Sequence, residues 1–183
     1  MELQSQLSAE PMEDPTLDPA RCLALLNELL DGHGPQVFGR VMQSLLAETF
    51  QRAGYSVSMN AVGVPDFTAV KRVPHSSFAI EAKTGSGSTV VLSDRDLEGV
   101  RSTGWVPVIA LLLFPATEVG WVLLNASHLL AGSHRTLRLI RQPYVILDFD
   151  VNLGFHKTLS MFHSIAMEDP KALKQALGAA PLQ

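Results

Sequence analysis

The chain has 183 residues, of which 46% are hydrophobic and 17% are charged, and this composition suits one globular domain with a single core. Its formal net charge of −4 argues against a protein that holds nucleic acid by bulk electrostatics. The single cysteine, Cys22, excludes an intrachain disulfide and a cysteine-based zinc site, so a reducing cytoplasm is the expected location.

The charge is distributed unevenly along the chain. Residues 1–31 carry seven acidic side chains and one basic one, a net of −6, and the rest carries eleven acidic and thirteen basic, a net of +2. A mildly basic body therefore follows an acidic N-terminal segment. Residues 1–17 are polar and acidic, and we expect them to be disordered. They lack the basic and apolar regions of a secretion signal.

Two helices are predicted before any strand. Asp18 can cap an accessory helix over 18–32 that has Pro19 in its first turn. The sequence Gly32-His33-Gly34-Pro35 interrupts the helical pattern. Apolar residues then recur at helical spacing from Gln36 to Ala53, which predicts a second helix.

The pattern next changes to that of strands. Tyr55–Val62, Asp66–Val70 and Ser77–Lys83 are predicted as three successive strands. A flexible loop over Thr84–Ser88 and a short polar helix over Ser93–Arg101 follow.

The remaining elements are predicted from apolar runs. Val106–Phe114 is predicted as a buried strand, because its apolar run is about half the length of a membrane span; no membrane association is expected. A return strand over Trp121–Leu124, a strand within Leu137–Phe149 and a helix from about Asp169 to Leu177 complete the chain. This order indicates an α/β or α+β sheet with helices on its faces.

Two carboxylates and a lysine stand on neighbouring predicted strands. Alternate side chains of a strand share a face, so Glu81 and Lys83 are expected to point the same way. If the second and third strands form a hairpin, Asp66 lies beside Glu81. Adjacent carboxylates repel unless a positive group joins them, and Mg²⁺ prefers such oxygen ligands. Lys83 could then stabilise the negative charge that develops when water attacks phosphorus.

Asp66 followed by Glu81-Ala82-Lys83 resembles the signature of the PD-(D/E)xK nucleases, and the resemblance extends over roughly Gln36 to Phe114. It implies an α/β, restriction-endonuclease-like fold: an αβββαβ core with a mixed central sheet flanked by helices. The layout is most similar to archaeal-type Holliday junction resolvases and Mrr-like endonucleases. It implies a nuclease-like domain over 33–165, followed by a C-terminal helix and tail over 166–183.

The resemblance also implies an activity and its residues. It implies an endonuclease that hydrolyses phosphodiester bonds of DNA, including branched DNA, with Mg²⁺ as cofactor and Mn²⁺ able to substitute. Asp66 and Glu81 would be metal ligands, the Ala82 carbonyl a third ligand, and Lys83 the catalytic lysine. Resolvases also carry a metal-binding glutamate early in their first helix. The matching position here is about Gln43, which is neutral, and Glu48 is a second candidate.

Basic residues flank the proposed site. Those expected to contact phosphates without reading bases are Lys71, Arg72, Arg95 and Arg101. A second basic segment, from His134 to Arg141, could extend this track. The apolar residues of 106–114 and 123–130 exceed what a small sheet needs, which predicts a homodimer.

Other interpretations of the same residues stay open at this point. The fold could serve a catalytically inactive DNA-binding or assembly subunit, or a small-molecule enzyme that uses the same acidic face. Glu81 and Lys83 could also be no more than a solvated strand face, with Asp66 as a turn residue.

Overall fold

A computed structural model describes residues 18–60, 63–85, 88–114 and 120–179. The prediction for residues 1–17 therefore lies outside the described residues. The elements, in chain order, are α1 (Pro19–Arg52), β1 (Ser56–Met59), β2 (Phe67–Lys71), β3 (Ser76–Gly85), β4 (Thr89–Leu92), α2 (Asp94–Arg101), β5 (Val106–Leu113), β6 (Gly120–Asn125), a 3₁₀ turn (Ala126–His128), β7 (Gly132–Arg135), α3 (Thr136–Leu139), α4 (Val151–Glu168) and α5 (Pro170–Ala179).

The central sheet has five strands in the order β1-β2-β3-β5-β6. Strands β1, β2 and β3 form an antiparallel meander, β3 and β5 are parallel, and β6 returns antiparallel to β5. Helix α2 lies on the connection between the two parallel strands, as a parallel pair requires. Strands β4 and β7 form a separate two-stranded antiparallel sheet. This mixed sheet and its flanking helices confirm the predicted α/β fold class.

The central strands β3 and β5 are buried on both faces. One face contributes Phe78, Ile80 and Ala82 to a core with α1, α4 and α5, and the other contributes Ala79 and Ile109 to a smaller core with α2. A strand covered on both sides is apolar at nearly every position, which explains the continuous run in β5. The apolar residues from which we predicted a homodimer are thus largely buried within the chain itself, and the homodimer stays a prediction.

Helix α1 is bent where the sequence analysis placed a break. Gly34 has φ of 73° and ψ of 169°, outside helical values, and Pro35 follows it. Glycine adopts a positive φ at little cost, so the chain turns here without a loop. The arm before the bend buries Cys22, Leu26 and Leu29 in the same core as the sheet. The domain boundaries at 32 and 165 stay predictions.

The predicted strand within Leu137–Phe149 is wrong. Thr136–Leu139 is a short helix, and the only ladder contact of the following segment is an isolated bridge between Tyr144 and Leu124. The segment follows the edge of β6, where the Val145 N–H donates to the Leu123 carbonyl over 2.8 Å. Its alternating apolar residues pack on the core, so the alternation indicates a buried face but no ladder.

Helix α4 and the strands β4 and β7 were not predicted. The Asp150 side chain caps α4 by accepting hydrogen bonds from the N–H groups of residues 152 and 153. Apolar side chains then recur at helical spacing toward the core: Phe155, Leu159, Phe162 and Ala166. This periodic signal was present in the sequence. In the described part of the chain, no helix is both long and apolar enough to cross a membrane.

Helix α4 is expected to contribute strongly to stability. Phe155 is fully buried and packs edge-on against Trp121, with ring centroids 5.7 Å apart. Phe155→Ala should lower the free energy of unfolding by about 3–5 kcal/mol, because it removes buried apolar surface and leaves a cavity. Met161→Ala is the control in the same helix, since Met161 is exposed, and should change it by about 0.5 kcal/mol or less. If urea denaturation gave the same loss of unfolding free energy for Phe155→Ala and Met161→Ala, this role of α4 would be contradicted.

Candidate active site

The register of the β2–β3 hairpin brings Asp66 beside Glu81. Phe67 of β2 pairs with Ile80 of β3 in the antiparallel ladder, so the residue before Phe67 stands opposite the residue after Ile80. Asp66 Oδ2 accepts a hydrogen bond of 2.8 Å from the Ala82 N–H. The side chain of Asp66 therefore continues the ladder where the backbone of β2 leaves it.

Lys83 lies between two carboxylates from different elements. Its Nζ is 2.9 Å from Glu81 Oε1 on the same strand and 2.8 Å from Asp96 Oδ1 in the first turn of α2. Glu81 and Lys83 thus point the same way, as strand alternation predicts. Asp96 was not among the predicted site residues.

Burial raises the pKa of both paired acids. The Glu81 side chain is only 8% exposed, and its Oε2 has no hydrogen-bond partner among the described residues. Burial, reinforced by the nearby charge of Asp66, raises the pKa of Glu81 to about 7, although Lys83 acts in the opposite direction. Burial likewise raises the pKa of Asp66, against the hydrogen bond from Ala82 and the charge of Lys83. The two acids therefore lack sufficient positive charge around them.

Lys83 and Asp96 behave as an ionised pair. Burial acts to lower the pKa of Lys83, but its hydrogen bonds to Asp96 and Glu81 outweigh burial and raise it. Burial acts to raise the pKa of Asp96, but hydrogen bonds from Lys83 and Ser93 outweigh burial and hold that pKa below its usual value. At neutral pH an ammonium group is thus held at the edge of the acidic pair.

Helix α1 contributes Gln43 to the site. Gln43 Nε2 donates a hydrogen bond of 3.1 Å to Asp66 Oδ2. Glu48, the other residue of this helix considered as a ligand, pairs instead with Arg52 over 2.8 Å. It lines a cavity with Val57 of β1, and no described hydrogen bond or ion pair joins it to Asp66 or Glu81. Glu48 Oε2 is buried without a hydrogen-bond partner among the described residues, but it is not joined to the acidic pair, and its metal-binding role stays a prediction.

A close backbone approach fixes the segment that carries Asp66. A Cβ atom at Gly99 of α2 would lie 2.4 Å from the Cβ of Val64 and 3.1 Å from its carbonyl oxygen. Only glycine allows α2 to pack this closely on the segment before Asp66. The sequence around Gly99 contains no motif that would have identified this contact.

Two of the four predicted phosphate-binding residues have structural partners. Lys71 Nζ is 2.6 Å from Asp148 Oδ2 and donates to the Ala53 carbonyl. Arg101 donates to the carbonyls of Ala126 and Leu129, and thereby ties α2 to the 3₁₀ turn.

The other two are exposed. Arg72 and Arg95 have no described hydrogen bond or ion pair, so their charges face solvent. These contacts divide the predicted set into two residues that stabilise the fold and two that are available to a ligand.

The acidic pair has the donors that a hard divalent cation requires. Asp66 and Glu81 supply carboxylate oxygens, one of them buried and unpartnered. In an antiparallel ladder the N–H and C=O of one residue face the same neighbouring strand, so the Ala82 carbonyl is directed toward the Asp66 side. Over the described ranges, no three His, Cys, Asp or Glu side chains are arranged to hold a metal ion. A cation here would thus have two side-chain ligands, the carbonyl and water.

Similarity to known proteins is found among solved structures. No family model matches the chain, and no curated protein matches it. Among solved structures, the chain is similar to Hjc of Archaeoglobus fulgidus, a Holliday junction resolvase from an archaeal hyperthermophile. The match has a TM-score of 0.42 and 20% identity, and it covers 52% of this chain and 82% of that chain.

Glu81 should make stability depend on pH. Its pKa is about 7 in the fold against an ordinary value of 4.5. Between these values the folded state retains a proton that the unfolded state has released, so this group lowers stability as the pH rises through the window. Glu81→Gln should remove this dependence.

The measurement is urea denaturation of both proteins across that window. The free energy of unfolding of the wild type, relative to that of Glu81→Gln, should fall by about 3 kcal/mol between pH 4.5 and about pH 7. This value follows from 1.36 kcal/mol for each unit by which the pKa is raised. A difference between the two proteins that stays constant with pH would contradict the buried, charge-poor setting of Glu81.

Proposed function

We propose that this protein is a divalent-metal-dependent endonuclease that hydrolyses phosphodiester bonds in DNA, with branched DNA such as a Holliday junction as its candidate substrate. The observation that carries the proposal is the pair of half-buried Asp66 and buried Glu81, opposite each other at the end of a hairpin, with the Lys83 ammonium 2.9 Å from Glu81 Oε1. Two carboxylates and a lysine in this arrangement suit hydrolysis at phosphorus.

Asp66, Glu81 and the Ala82 carbonyl would hold the cation, with Mg²⁺ as the proposed ion and Mn²⁺ as a substitute. Such an ion, when bound, polarises the phosphate and lowers the pKa of a water molecule. The unpartnered Oε2 of Glu81 supports this assignment, because a buried carboxylate oxygen without a donor is costly unless a cation meets it.

Residues of the protein itself orient the Asp66 carboxylate and stabilise charge on the phosphate. Gln43 and the Ala82 N–H both donate to Asp66 Oδ2, which fixes the carboxylate and leaves its other oxygen without a described hydrogen bond. The Lys83 ammonium is partly buried, with its side chain 24% exposed. There it can stabilise the negative charge that develops on the phosphate oxygens in the transition state.

DNA would be held by exposed basic residues of the chain. Arg95 precedes Asp96 in α2, and Arg72 lies at the turn of the β2–β3 hairpin, at the other end of these strands from Asp66 and Glu81; neither guanidinium has a hydrogen bond or ion pair among the described residues. A second set is exposed on β7, α3 and the residues just after them: Arg135, Arg138 and Arg141. The Thr136 N–H donates to the Ser88 carbonyl over 2.8 Å, so this second set adjoins the chain that follows β3. Arginines of this kind bind phosphates and fix the position of DNA.

A homodimer in the cytoplasm belongs to the same proposal. Cys22 is a buried free thiol whose pKa burial raises to about 11, which suits a reducing compartment because no disulfide is formed. Large apolar side chains are exposed beyond the core, among them Tyr144 and Ile146. Exposed apolar area of this kind is typical of contact surfaces.

The activity is tested by cleavage of linear, flapped and four-way DNA in the presence of Mg²⁺ or Mn²⁺. Asp66→Ala and Lys83→Ala should each lower the cleavage rate at least about a hundredfold, because the first removes a proposed ligand of the cation and the second removes positive charge that stabilises the transition state. Lys171→Ala, at an exposed position of α5, is the matched control and should retain the full rate. DNA binding without cleavage by the wild type would support the inactive DNA-binding subunit instead.

Substitutions of the exposed and of the structurally bonded basic residues should have different effects on DNA binding, measured on the Lys83→Ala protein. Arg95→Ala should weaken DNA binding, lower the slope of log K against log salt by about 0.9 and leave thermal stability unchanged. Arg101→Ala should mainly lower thermal stability, because it removes hydrogen bonds to two carbonyls. A salt slope unchanged by Arg95→Ala would remove Arg95 from the DNA-binding surface.

A further inference from the structure

Asp96 has two separate functions in the fold. Its Oδ2 accepts a hydrogen bond of 2.9 Å from the Ser93 N–H, and its own N–H donates to Ser93 Oγ over 3.1 Å. Together these bonds form a capping box, which satisfies free N–H groups at the start of α2. The other oxygen, Oδ1, is 2.8 Å from Lys83 Nζ. A capping residue would not need this second contact.

The contact joins the site to a second element of the fold. Glu81 and Lys83 belong to β3, whereas Asp96 belongs to α2, whose Leu97 and Val100 are buried against the sheet face that carries Ala79. The position of Asp96 relative to Lys83 is thus fixed by packed side chains and by the cap, and does not depend on Glu81. The Asp96 side chain is 12% exposed, which limits competition from water.

Asp96 does not complete a metal site with the acidic pair. No three acidic or histidine side chains in the described segments are arranged to hold a metal ion. The hydrogen bonds of Asp96 go to Lys83 and to Ser93. Its carboxylate is therefore directed at the lysine, and Glu81 is the group that Lys83 and a cation would share.

We propose that Asp96 is a positioning residue that holds the Lys83 ammonium from α2, so that Glu81 can turn to a divalent cation while Lys83 stays in place. The proposal deepens the nuclease function and rests on it for its chemical meaning. Without Asp96, Lys83 would have Glu81 as its one described carboxylate partner, and a cation would compete with it directly. With Asp96, Lys83 keeps a fixed anionic partner when Glu81 is engaged.

The test compares substitutions that separate charge from capping. Asp96→Asn keeps an oxygen that can accept from the Ser93 N–H but removes the charge. Ser93→Ala removes one bond of the cap and keeps the Asp96 carboxylate. Asp96→Glu and Asp96→Gln form a second matched pair, because both side chains suit this position of a capping box and differ in charge. That pair replaces Asp96→Asn should the latter fail to fold.

The first readout needs neither metal nor DNA. Amine labelling followed by mass spectrometry gives the rate at Lys83 relative to the exposed Lys171 in the same protein. Asp96→Asn and Asp96→Gln should raise that ratio about tenfold, the loss expected for one hydrogen bond between charged groups. Ser93→Ala and Asp96→Glu should leave it within about twofold of wild type. Equal ratios in all the variants would overturn the proposal.

The second readout is Mn²⁺ affinity by calorimetry in the absence of DNA, with single-turnover cleavage measured alongside. Asp96→Asn should weaken Mn²⁺ binding severalfold and lower the cleavage rate with DNA affinity unchanged, whereas Ser93→Ala should lower thermal stability alone. If Ser93→Ala and Asp96→Asn lower the Mn²⁺ affinity and the cleavage rate equally, Asp96 acts only as a helix cap and the proposal fails. A wild type that never cuts DNA would overturn the nuclease function, while the labelling ratio still decides the role of Asp96.

Discussion

The candidate site depends on the balance of charge between three carboxylates and one ammonium group. Asp66, Glu81 and Asp96 come from three different segments, and Lys83 lies between the latter two. With all four groups ionised the set would carry a net charge of −2, which is costly where water is largely excluded. Burial raises the pKa values of Asp66 and Glu81, and a neighbouring carboxylate charge reinforces each shift, whereas hydrogen bonds from Lys83 and Ser93 lower the pKa of Asp96. A divalent cation would neutralise this set.

The scaffold can hold such a charge set because the sheet is supported from both sides. Helices α1 and α4 cover one face of β3 and β5, and α2 covers the other. Apolar burial on two faces supplies most of the stability of a fold of this kind, so a locally unfavourable group of acids can persist at one end of the sheet. The contact between Gly99 and Val64 links the covering helix α2 to the segment that carries Asp66.

The basic residues illustrate how little composition alone says about a binding surface. Lys71 and Arg101 have the same formal charge as Arg72 and Arg95, yet the first two hold together parts of the fold. The whole-chain charge of −4 is similarly uninformative, because the net negative charge comes from residues that precede the sheet. What matters for a phosphate backbone is which cations are unpaired and lie close to the acidic pair.

Features that depend on local pattern could be predicted from the sequence. The bend near Gly34, the capped start of α2, the buried strand β5 and the hairpin that brings Asp66 to Glu81 all follow from spacing and residue type. The fold class and the pair of Asp66 and Glu81 could therefore be predicted from the sequence. Helix α4 could have been predicted too, because the spacing of Phe155, Leu159 and Phe162 is a local helical signal.

Features that depend on contacts between distant segments were decided by the tertiary structure. The ion pair of Lys83 with Asp96 and the contact of Gln43 with Asp66 depend on how helices lie against the sheet. Sequence spacing fixes which face of its own element a side chain occupies, but not which group from another element meets it there. The sequence by itself thus determined that two acids and a lysine share one end of a hairpin. Only the packing of α1 and α2 on the sheet decided which residues hold them there.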